Sequence, residues 1–268
     1  TMTALARLGG EHGRDAFALN YLAINVGMSI GPTLGGFLAE IDYRWLFWVD
    51  GSTSFLAGCL LLGSGIRCPP QPVRLSVSDW NVGRQAFRLL FWLSLTYWVF
   101  MSFFAASPLY AVQELHLRER DCGLIWLINT VIIVLTSMAV TRVTQGYRLP
   151  LLLACACLGL AACYATLSLL PSLAGLILAT LFLTLGEMML FSNANEYLAR
   201  VVPTNKVGRA MGFNAMSVSL ALTFASPTVG YFFANRSPHQ LWVTLCLMAL
   251  VAAWGFQRLP EARARQAT

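Results

Sequence analysis

Residues 25–36 read NVGMSIGPTLGG, and this stretch lies inside an apolar run that otherwise has the length of a membrane-spanning helix. Glycine costs about 1 kcal/mol and proline about 3 kcal/mol in an ordinary helix interior. Because Gly27, Gly31 and Gly35 recur at every fourth position, we expect them to form a smooth groove along one helix face. Pro32 removes one backbone hydrogen bond and bends the helix. A bent, grooved helix suits a surface on which two helical units move against each other.

The composition of the chain is that of a membrane protein. Of the 268 residues 57% are hydrophobic and 11% are charged, whereas about 25% of the residues in a soluble domain are charged. Eight apolar stretches approach or exceed the roughly 20 residues that cross a bilayer. They are residues 16–39, 45–66, 89–113, 122–141, 149–170, 173–199, 209–234 and 239–258. We therefore predict an all-α polytopic membrane protein with eight transmembrane helices.

The net charge of +6 reflects how the basic residues divide between the two sides of the membrane. If eight spans alternate in direction, fourteen of the 18 Lys and Arg residues fall on one side. The four on the other side are Arg44, Arg118, Arg120 and Arg236. Basic residues concentrate in cytoplasmic loops, so we predict that both termini of the chain are cytoplasmic. The basic charge then reports topology, and we expect no nucleic-acid partner.

The longest hydrophilic segment divides the chain into two helical units. It contains three prolines and several arginines, and we predict that residues 67–88 are a cytoplasmic linker with a short surface helix near residues 80–87. Residues 1–66 then hold the last two helices of a first unit. Residues 89–258 form a complete six-helix unit, and residues 259–268 form a cytoplasmic tail.

An internal repeat relates the first and seventh spans. Arg14 and Pro32 are 18 residues apart, and so are Arg209 and Pro227. Gly230 stands in the second copy where the first copy also has a glycine. The offset of 195 residues implies about six spans per unit. Since the first unit has only two spans, and the chain opens without methionine, we expect about four further spans upstream.

These features together resemble the major facilitator superfamily. The carriers of the resemblance are two six-helix halves, a basic linker and the pattern GxxxGPxxGG that ends at Gly36. Residues 181–212 also resemble the tenth helix and following loop of bacterial efflux-type members. The loop at residues 141–148, TRVTQGYR, departs from the family because it lacks the aspartate of the basic-acidic loop motif. On this resemblance the chain covers helices 5 to 12 of a twelve-helix fold, and the fifth helix lines the interface between the halves.

Two intramembrane carboxylates are candidates for carrying protons. Glu187 lies near the middle of the sixth span, where an ionisable group is costly and is a functional-site hypothesis by default. Burial favours its neutral form, so it could bind a proton from one side and release it to the other. The alternative is a protonated side chain that hydrogen-bonds neighbouring helices. Asp50 is a second cavity carboxylate or, as we favour, a structural residue that hydrogen-bonds the hydroxyl of Ser52 or Thr53.

Glu196 and Arg200 stand at positions i and i+4 near the end of the span that holds Glu187. This spacing favours a local ion pair between a carboxylate and a guanidinium on the same helix face. We therefore interpret the two residues as structural.

The third span holds eight aromatic residues, and those that face inward are candidates for contacting substrate. Tyr97 and Phe103 are chosen because aromatic rings suit flat, apolar or cationic ligands. The alternative is contact with lipid and with the membrane interface, and eight rings cannot all face inward. Pro108 is expected to break this helix near its outer end.

Three amides also lie within apolar spans, at Asn129, Asn193 and Asn195. They are interpreted as hydrogen-bonded links between helices or as substrate contacts, with Asn129 and Asn193 as the candidates for the substrate cavity.

An enzyme is the competing class, and the sequence argues against it. The three histidines, His12, His116 and His239, lie in loops or at span ends, and none has a metal-ligand partner at i+4. The seven cysteines lack the spacing of a zinc site or disulfide framework. No phosphate-binding GxxxxGK[ST] motif is present. We expect no cofactor and no metal.

The preferred interpretation is a secondary active transporter of the bacterial inner membrane. It would export small hydrophobic or drug-like compounds in exchange for protons, by alternating access between its two halves. Its partners would be a small-molecule substrate, protons and the lipid bilayer. Two alternatives stay open, a facilitator-type importer of sugars, peptides or organic acids, and a truncated remnant that does not transport.

Overall fold

The computed structural model describes Ala23, Gly27, Ile30, Gly31 and residues 33–64, 82–144, 146–203 and 206–261. Every regular element in these residues is a helix, which confirms the predicted all-α fold. Residues 33–41 are helical. Seven longer helices follow, namely α1 (Arg44–Gly63), α2 (Arg84–Gln113), α3 (Glu119–Thr144), α4 (Leu149–Leu169), α5 (Leu173–Val201), α6 (Val207–Asn235) and α7 (Pro238–Gln257).

Six of these helices, α1, α2 and α4 to α7, are long and apolar enough to cross a membrane. Helix α3 contributes a shorter apolar stretch, Asp121–Thr136. Most of the first predicted span, residues 16–39, lies outside the described residues, although its last part is helical. The chain is thus polytopic.

Two local expectations at the ends of α2 need correction. Pro108 does not break the helix, because α2 continues to Gln113. Membrane helices tolerate an internal proline where neighbouring groups satisfy the freed backbone carbonyl. At the other end, α2 begins at Arg84 and runs without interruption into the predicted span, so residues 84–87 belong to α2 and not to a separate surface helix.

The chain divides into two compact units. Unit 1 comprises Thr1–Leu75 and Leu117–Thr130, and unit 2 comprises Ser76–His116 and Val131–Thr268. In unit 1 the Thr33 hydroxyl donates a hydrogen bond to the Gly123 carbonyl at 3.1 Å. Helix α1 buries none of its residues within the described structure.

Unit 2 is a helical bundle in which α4 packs against α5 and α7, and α2 packs against α6 and α7. Trp242 of α7 is almost completely buried and is surrounded by aromatic rings from three other helices. The distances from its ring centroid are 5.3 Å to Tyr110, 5.9 Å to Tyr164 and 6.4 Å to Phe233. The Tyr164 hydroxyl donates to the Val99 carbonyl at 2.5 Å. This cluster joins α2, α4, α6 and α7 near one end of the bundle.

At the opposite end, polar contacts hold the segment that follows α7 against the bundle. The Tyr197 hydroxyl of α5 donates a hydrogen bond to the Pro260 carbonyl. Arg148, just before α4, forms an ion pair with Glu261 at 3.2 Å. Leu259, which precedes both residues, is buried, so the end of α7 is anchored to α5 and to the start of α4.

Candidate functional site

Glu187 is the central residue of α5, and a close contact between two backbones sets its position. A Cβ added at the preceding residue, Gly186, would lie 2.8 Å from the Ala156 carbonyl oxygen of α4. A Cβ at Gly159 of α4 would lie 3.2 Å from the Gly186 Cα. Real Cβ atoms are rarely found at such distances, so only glycine lets α4 and α5 approach this closely. The contact directs Gly186 into α4 and therefore turns Glu187 away from it.

The residue that follows Glu187 points to a different helix. The Thr136 hydroxyl of α3 donates to the Met188 sulfur at 3.6 Å. Because successive helical residues are rotated by about 100°, Gly186 and Met188 face α4 and α3 respectively. The half-buried Glu187 lies between these two directions.

One helical turn from Glu187, Phe191 belongs to an aromatic cluster shared by α5 and α2. Its ring stacks on Tyr97, with centroids 5.6 Å apart, and meets Phe100 edge-on at 5.4 Å. Glu187 and Phe191 are separated by four residues, so they share one face of α5. A carboxyl group and an aromatic platform thus stand next to each other at the middle of the bundle.

A chain of three side-chain hydrogen bonds extends from this platform across three helices. The Tyr97 hydroxyl of α2 donates to Asn214 Oδ1 of α6 at 3.1 Å. Asn214 Nδ2 donates to Asn195 Oδ1 of α5 at 3.0 Å. Asn195 Nδ2 in turn approaches the Phe191 carbonyl at 3.4 Å. Since Asn195 is one turn beyond Phe191, the carboxyl, the platform and the polar chain follow one face of α5.

Asn214 connects Tyr97 with Asn195, and the sequence interpretation missed it. It is a buried amide inside the apolar span 209–234. That is the same signal that singled out Asn193 and Asn195, so composition alone was sufficient to select it. Its hydrogen-bond partners could not be predicted from the sequence, because Tyr97 is 117 residues away in the chain.

We expect Tyr97 and Asn214 to be energetically coupled. Tyr97→Phe and Asn214→Ala each leave a partner unpaired, and interhelical hydrogen bonds in membranes contribute about 0.6 kcal/mol on average, to a maximum of about 1.7 kcal/mol. We expect a double-mutant cycle on the free energy of unfolding, measured by denaturant titration in detergent, to show coupling. Each substitution should cost less when the other is already present than when it is made alone. Strictly additive costs would contradict the coupling. Thr223→Ala on α6 serves as the control, because its hydroxyl bonds to its own helix at the Ser219 carbonyl.

The other three proposed cavity residues are all buried. Phe103 is completely buried in α2. Asn193 is buried and donates to the Met189 carbonyl of its own helix at 2.6 Å. Asn129 is buried within α3, in the part that belongs to unit 1. Tyr97 contacts the face of α5 that holds Glu187, through the ring of Phe191.

Asp50 is exposed on α1, and its expected hydrogen bonds are not those observed. The Thr53 hydroxyl donates to the backbone carbonyls of Val49 and Asp50, at 2.8 and 3.0 Å. The Ser52 hydroxyl donates to the carbonyls of Trp48 and Val49. Hydroxyls within helices commonly bond to the carbonyl one turn back, which takes them away from the carboxylate. By contrast, the expected ion pair between Glu196 and Arg200 is present.

Two motif glycines of the first span, Gly27 and Gly31, are exposed in the described structure. A Cβ at Gly27 or Gly31 would have no described atom within 4 Å, and one at Gly35 would meet the Leu46 side chain at 3.7 Å. Gly36 is half-buried. Pro32 lies outside the described residues.

Their counterparts in the second copy of the repeat are also accessible. Pro227 lies inside α6 and is exposed. Gly230 is exposed, with no described atom within 4 Å of an added Cβ. Among the described residues of the repeat, Gly27, Gly31, Pro227 and Gly230 are thus exposed, and the role of the motif residues at an interface is a prediction.

Among the described residues, no group of three or more His, Cys, Asp or Glu side chains is arranged to hold a metal ion. The described cysteines are Cys59, Cys122, Cys155, Cys157, Cys163 and Cys246, and all are free thiols. The described side chains at the centre of unit 2 include the half-buried Glu187 carboxyl group, hydrogen-bonded amides and packed aromatic rings.

Comparison with known proteins places these features in a family. Residues 2–226 match the profile of the Major Facilitator Superfamily. No curated protein matches the chain closely enough for comparison. The match spans most of the chain, including α1 to α5 and most of α6, and the observed helical fold agrees with it. The chain belongs to the Major Facilitator Superfamily.

Proposed function

We propose that this chain serves the proton-coupled export of small hydrophobic or drug-like compounds. Members of its superfamily are secondary transporters of small molecules. The observation that carries the finer proposal is a half-buried carboxyl, Glu187, at the centre of an apolar helix and one turn from the Tyr97–Phe191 stack. Flat apolar or cationic compounds are the ligands that such rings favour.

In this mechanism the Glu187 carboxylate accepts a proton when the cavity opens to the side of higher proton concentration. Forming the O–H bond removes a charge from an apolar environment, which favours the transition of the transporter to its other conformation. The proton then dissociates on the opposite side, and the regenerated carboxylate attracts a cationic or polarisable substrate. One conformation thus binds the proton and the other binds the substrate, so each drives the other.

Asp50 is the second carboxylate proposed for proton coupling, and the motif residues are proposed to act at the interface between the two halves.

The transporter would lie in a bacterial inner membrane with both termini of this chain in the cytoplasm. The distribution of arginine supports this orientation. Labelling of single cysteines placed near residue 236 and near residue 148 with an impermeant reagent, in intact cells, should modify only the former.

Transport in everted membrane vesicles tests the proposal. Respiration acidifies the interior of these vesicles, so an exporter that exchanges protons should accumulate a fluorescent hydrophobic cation inside, and a protonophore should release it. Equilibration of the compound without dependence on the pH gradient would instead support a facilitator.

The polar chain from Tyr97 to Asn195 gives the facilitator alternative a specific basis, since its amides suit a substrate with hydroxyl groups. Uptake of a radiolabelled sugar or organic acid that is independent of the proton gradient would favour this function. The truncated-remnant alternative is tested separately by the intact mass of the native polypeptide. A mass of 29.4 kDa, together with no transport in vesicles, would favour the remnant.

A further inference from the structure

Helices α2 and α7 run antiparallel along a seam outside the site described above. Near one end Tyr110 of α2 meets Trp242 of α7. Near the other end the Trp92 ring of α2 packs directly on Gly255 of α7, where an added Cβ would lie 2.3 Å from Trp92 Cε2. The beginning of α2 is therefore adjacent to the end of α7, and a tryptophan fills the contact between them.

At this end each helix presents an exposed stripe that is basic towards its terminus and apolar towards the middle of the bundle. On α2 the stripe comprises Arg84, Phe87, Arg88 and Phe91, and on α7 it comprises Leu247, Val251, Trp254 and Arg258. Phe87 is 69% exposed, Phe91 is 58% exposed and Trp254 is 54% exposed. The Arg258 guanidinium lies over the Trp254 ring, with its carbon 4.3 Å from the ring centroid. We call these eight residues and Trp92 the basic-aromatic seam.

Helix geometry places the two stripes on the same side of the helix pair. Successive residues are rotated by about 100° about the helix axis. Viewed along each helix from its N-terminus, the stripe of α2 lies to one side of Trp92, and the stripe of α7 lies to the same side of Gly255. Because the two helices are antiparallel and touch at these two residues, both stripes lie on one face of the helix pair. Arg88 lies about one turn before Trp92 and Arg258 about one turn after Trp254, so the two guanidinium groups flank the seam at the same level.

The acidic side chains described at this end of unit 2 are engaged with other arginines. Glu261 pairs with Arg148 at 3.2 Å, and Glu196 pairs with Arg200. The seam therefore offers positive charge, two indole rings and a continuous apolar surface in that order from its end.

We propose that the basic-aromatic seam binds an anionic phospholipid. The phosphate would lie between Arg88 and Arg258, with Arg84 at the rim, and the acyl chains would follow Phe91, Val251 and Leu247. The order of charge, indole and apolar surface matches the order of headgroup, glycerol region and acyl chains in a phospholipid. This site is separate from Glu187 and does not depend on the transported substrate.

Lipid titration of the purified native protein tests the proposal. Phosphatidylglycerol and phosphatidylcholine with identical acyl chains are added in neutral detergent, and bound lipid is counted by native mass spectrometry. We expect phosphatidylglycerol to bind roughly 30-fold more tightly, because two arginines lie near its headgroup. Brominated acyl chains of the same lipid should quench the tryptophan fluorescence of the protein.

The double variant Arg88→Gln, Arg258→Gln should lose the preference for phosphatidylglycerol and should lose the added quenching by its brominated form. Arg236→Gln is the matched control, because Arg236 is an exposed arginine that follows α6 and lies at the other end of the bundle, and it should keep both. Equal binding of the two lipids to the unmodified protein, or a preference that survives in the double variant, would overturn the proposal. Glycerol phosphate, which has the headgroup but no acyl chains, should not compete, and competition at concentrations equal to those of the lipid would overturn the assignment to a phospholipid.

Discussion

Glu187→Gln is expected to reduce proton-driven accumulation of substrate in everted vesicles by roughly 5- to 150-fold. This is the usual range of coupling between two binding sites. Glutamine keeps the size of the side chain and can hydrogen-bond, but it cannot exchange a proton. Substrate exchange that is driven only by a substrate gradient should persist, because the Tyr97–Phe191 stack is unchanged. The measurement compares accumulation with and without a protonophore, at equal amounts of protein in the membrane.

Glu196→Gln provides the matched control for this prediction. Glu196 is an acidic residue of the same helix, but it is exposed and paired with Arg200. Exposed ion pairs of this kind contribute about 0.3 to 0.5 kcal/mol, so proton-driven accumulation should be retained. If the Glu187→Gln variant accumulates substrate against its gradient as well as the unmodified protein does, Glu187 is not the proton carrier.

Gly186→Val is expected to destabilise unit 2 by about 1 to 3 kcal/mol, the usual cost of forcing extra atoms into a close-packed interior. The first added carbon would already lie 2.8 Å from the Ala156 carbonyl oxygen, which is backbone and cannot rotate away. Helices α4 and α5 must then separate, and Glu187 moves with α5. The midpoint of thermal unfolding in detergent should fall, and proton-driven transport should fall with it.

Two further variants separate this contact from a general effect of valine in a helix. Gly212→Val on α6 places the same side chain where no described atom lies within 4 Å of the Cβ position, so the unfolding midpoint should change little. Gly159→Ala, on the opposite side of the contact, should destabilise in the same direction as Gly186→Val, since its Cβ would lie 3.1 Å from the Phe182 carbonyl oxygen. An unchanged midpoint in both contact variants would show that α4 and α5 do not need glycine here.

The positions of the helices could be read from the sequence with good accuracy. The predicted spans 149–170 and 173–199 correspond to α4 (Leu149–Leu169) and α5 (Leu173–Val201). Long apolar runs determine helices because backbone groups in lipid must be satisfied within the segment. Pro108 shows where this reasoning fails. The cost of a proline depends on what surrounds the freed carbonyl, and the chain alone does not reveal those neighbours.

The candidate site could be predicted in part. Glu187 was identifiable because an acidic residue inside an apolar span is conspicuous. The glycine contact beside it was not, since Gly159 and Gly186 are ordinary residues of their own helices until the two helices are brought together. Likewise Tyr97 was selected as an aromatic residue, but its bond to Asn214 depends on α2 lying beside α6.

The sequence by itself determined the helical class, the approximate helix boundaries, the family resemblance and the presence of a carboxyl group at the middle of α5. These properties follow from the composition and spacing of residues close together in the chain. Only the tertiary structure decided which helices touch, that Gly186 turns Glu187 away from α4, and that Tyr97, Asn214 and Asn195 form one hydrogen-bonded chain. The reason is that lipid-soluble helices are similarly apolar on many faces, so their partners are selected by close packing and a few polar contacts.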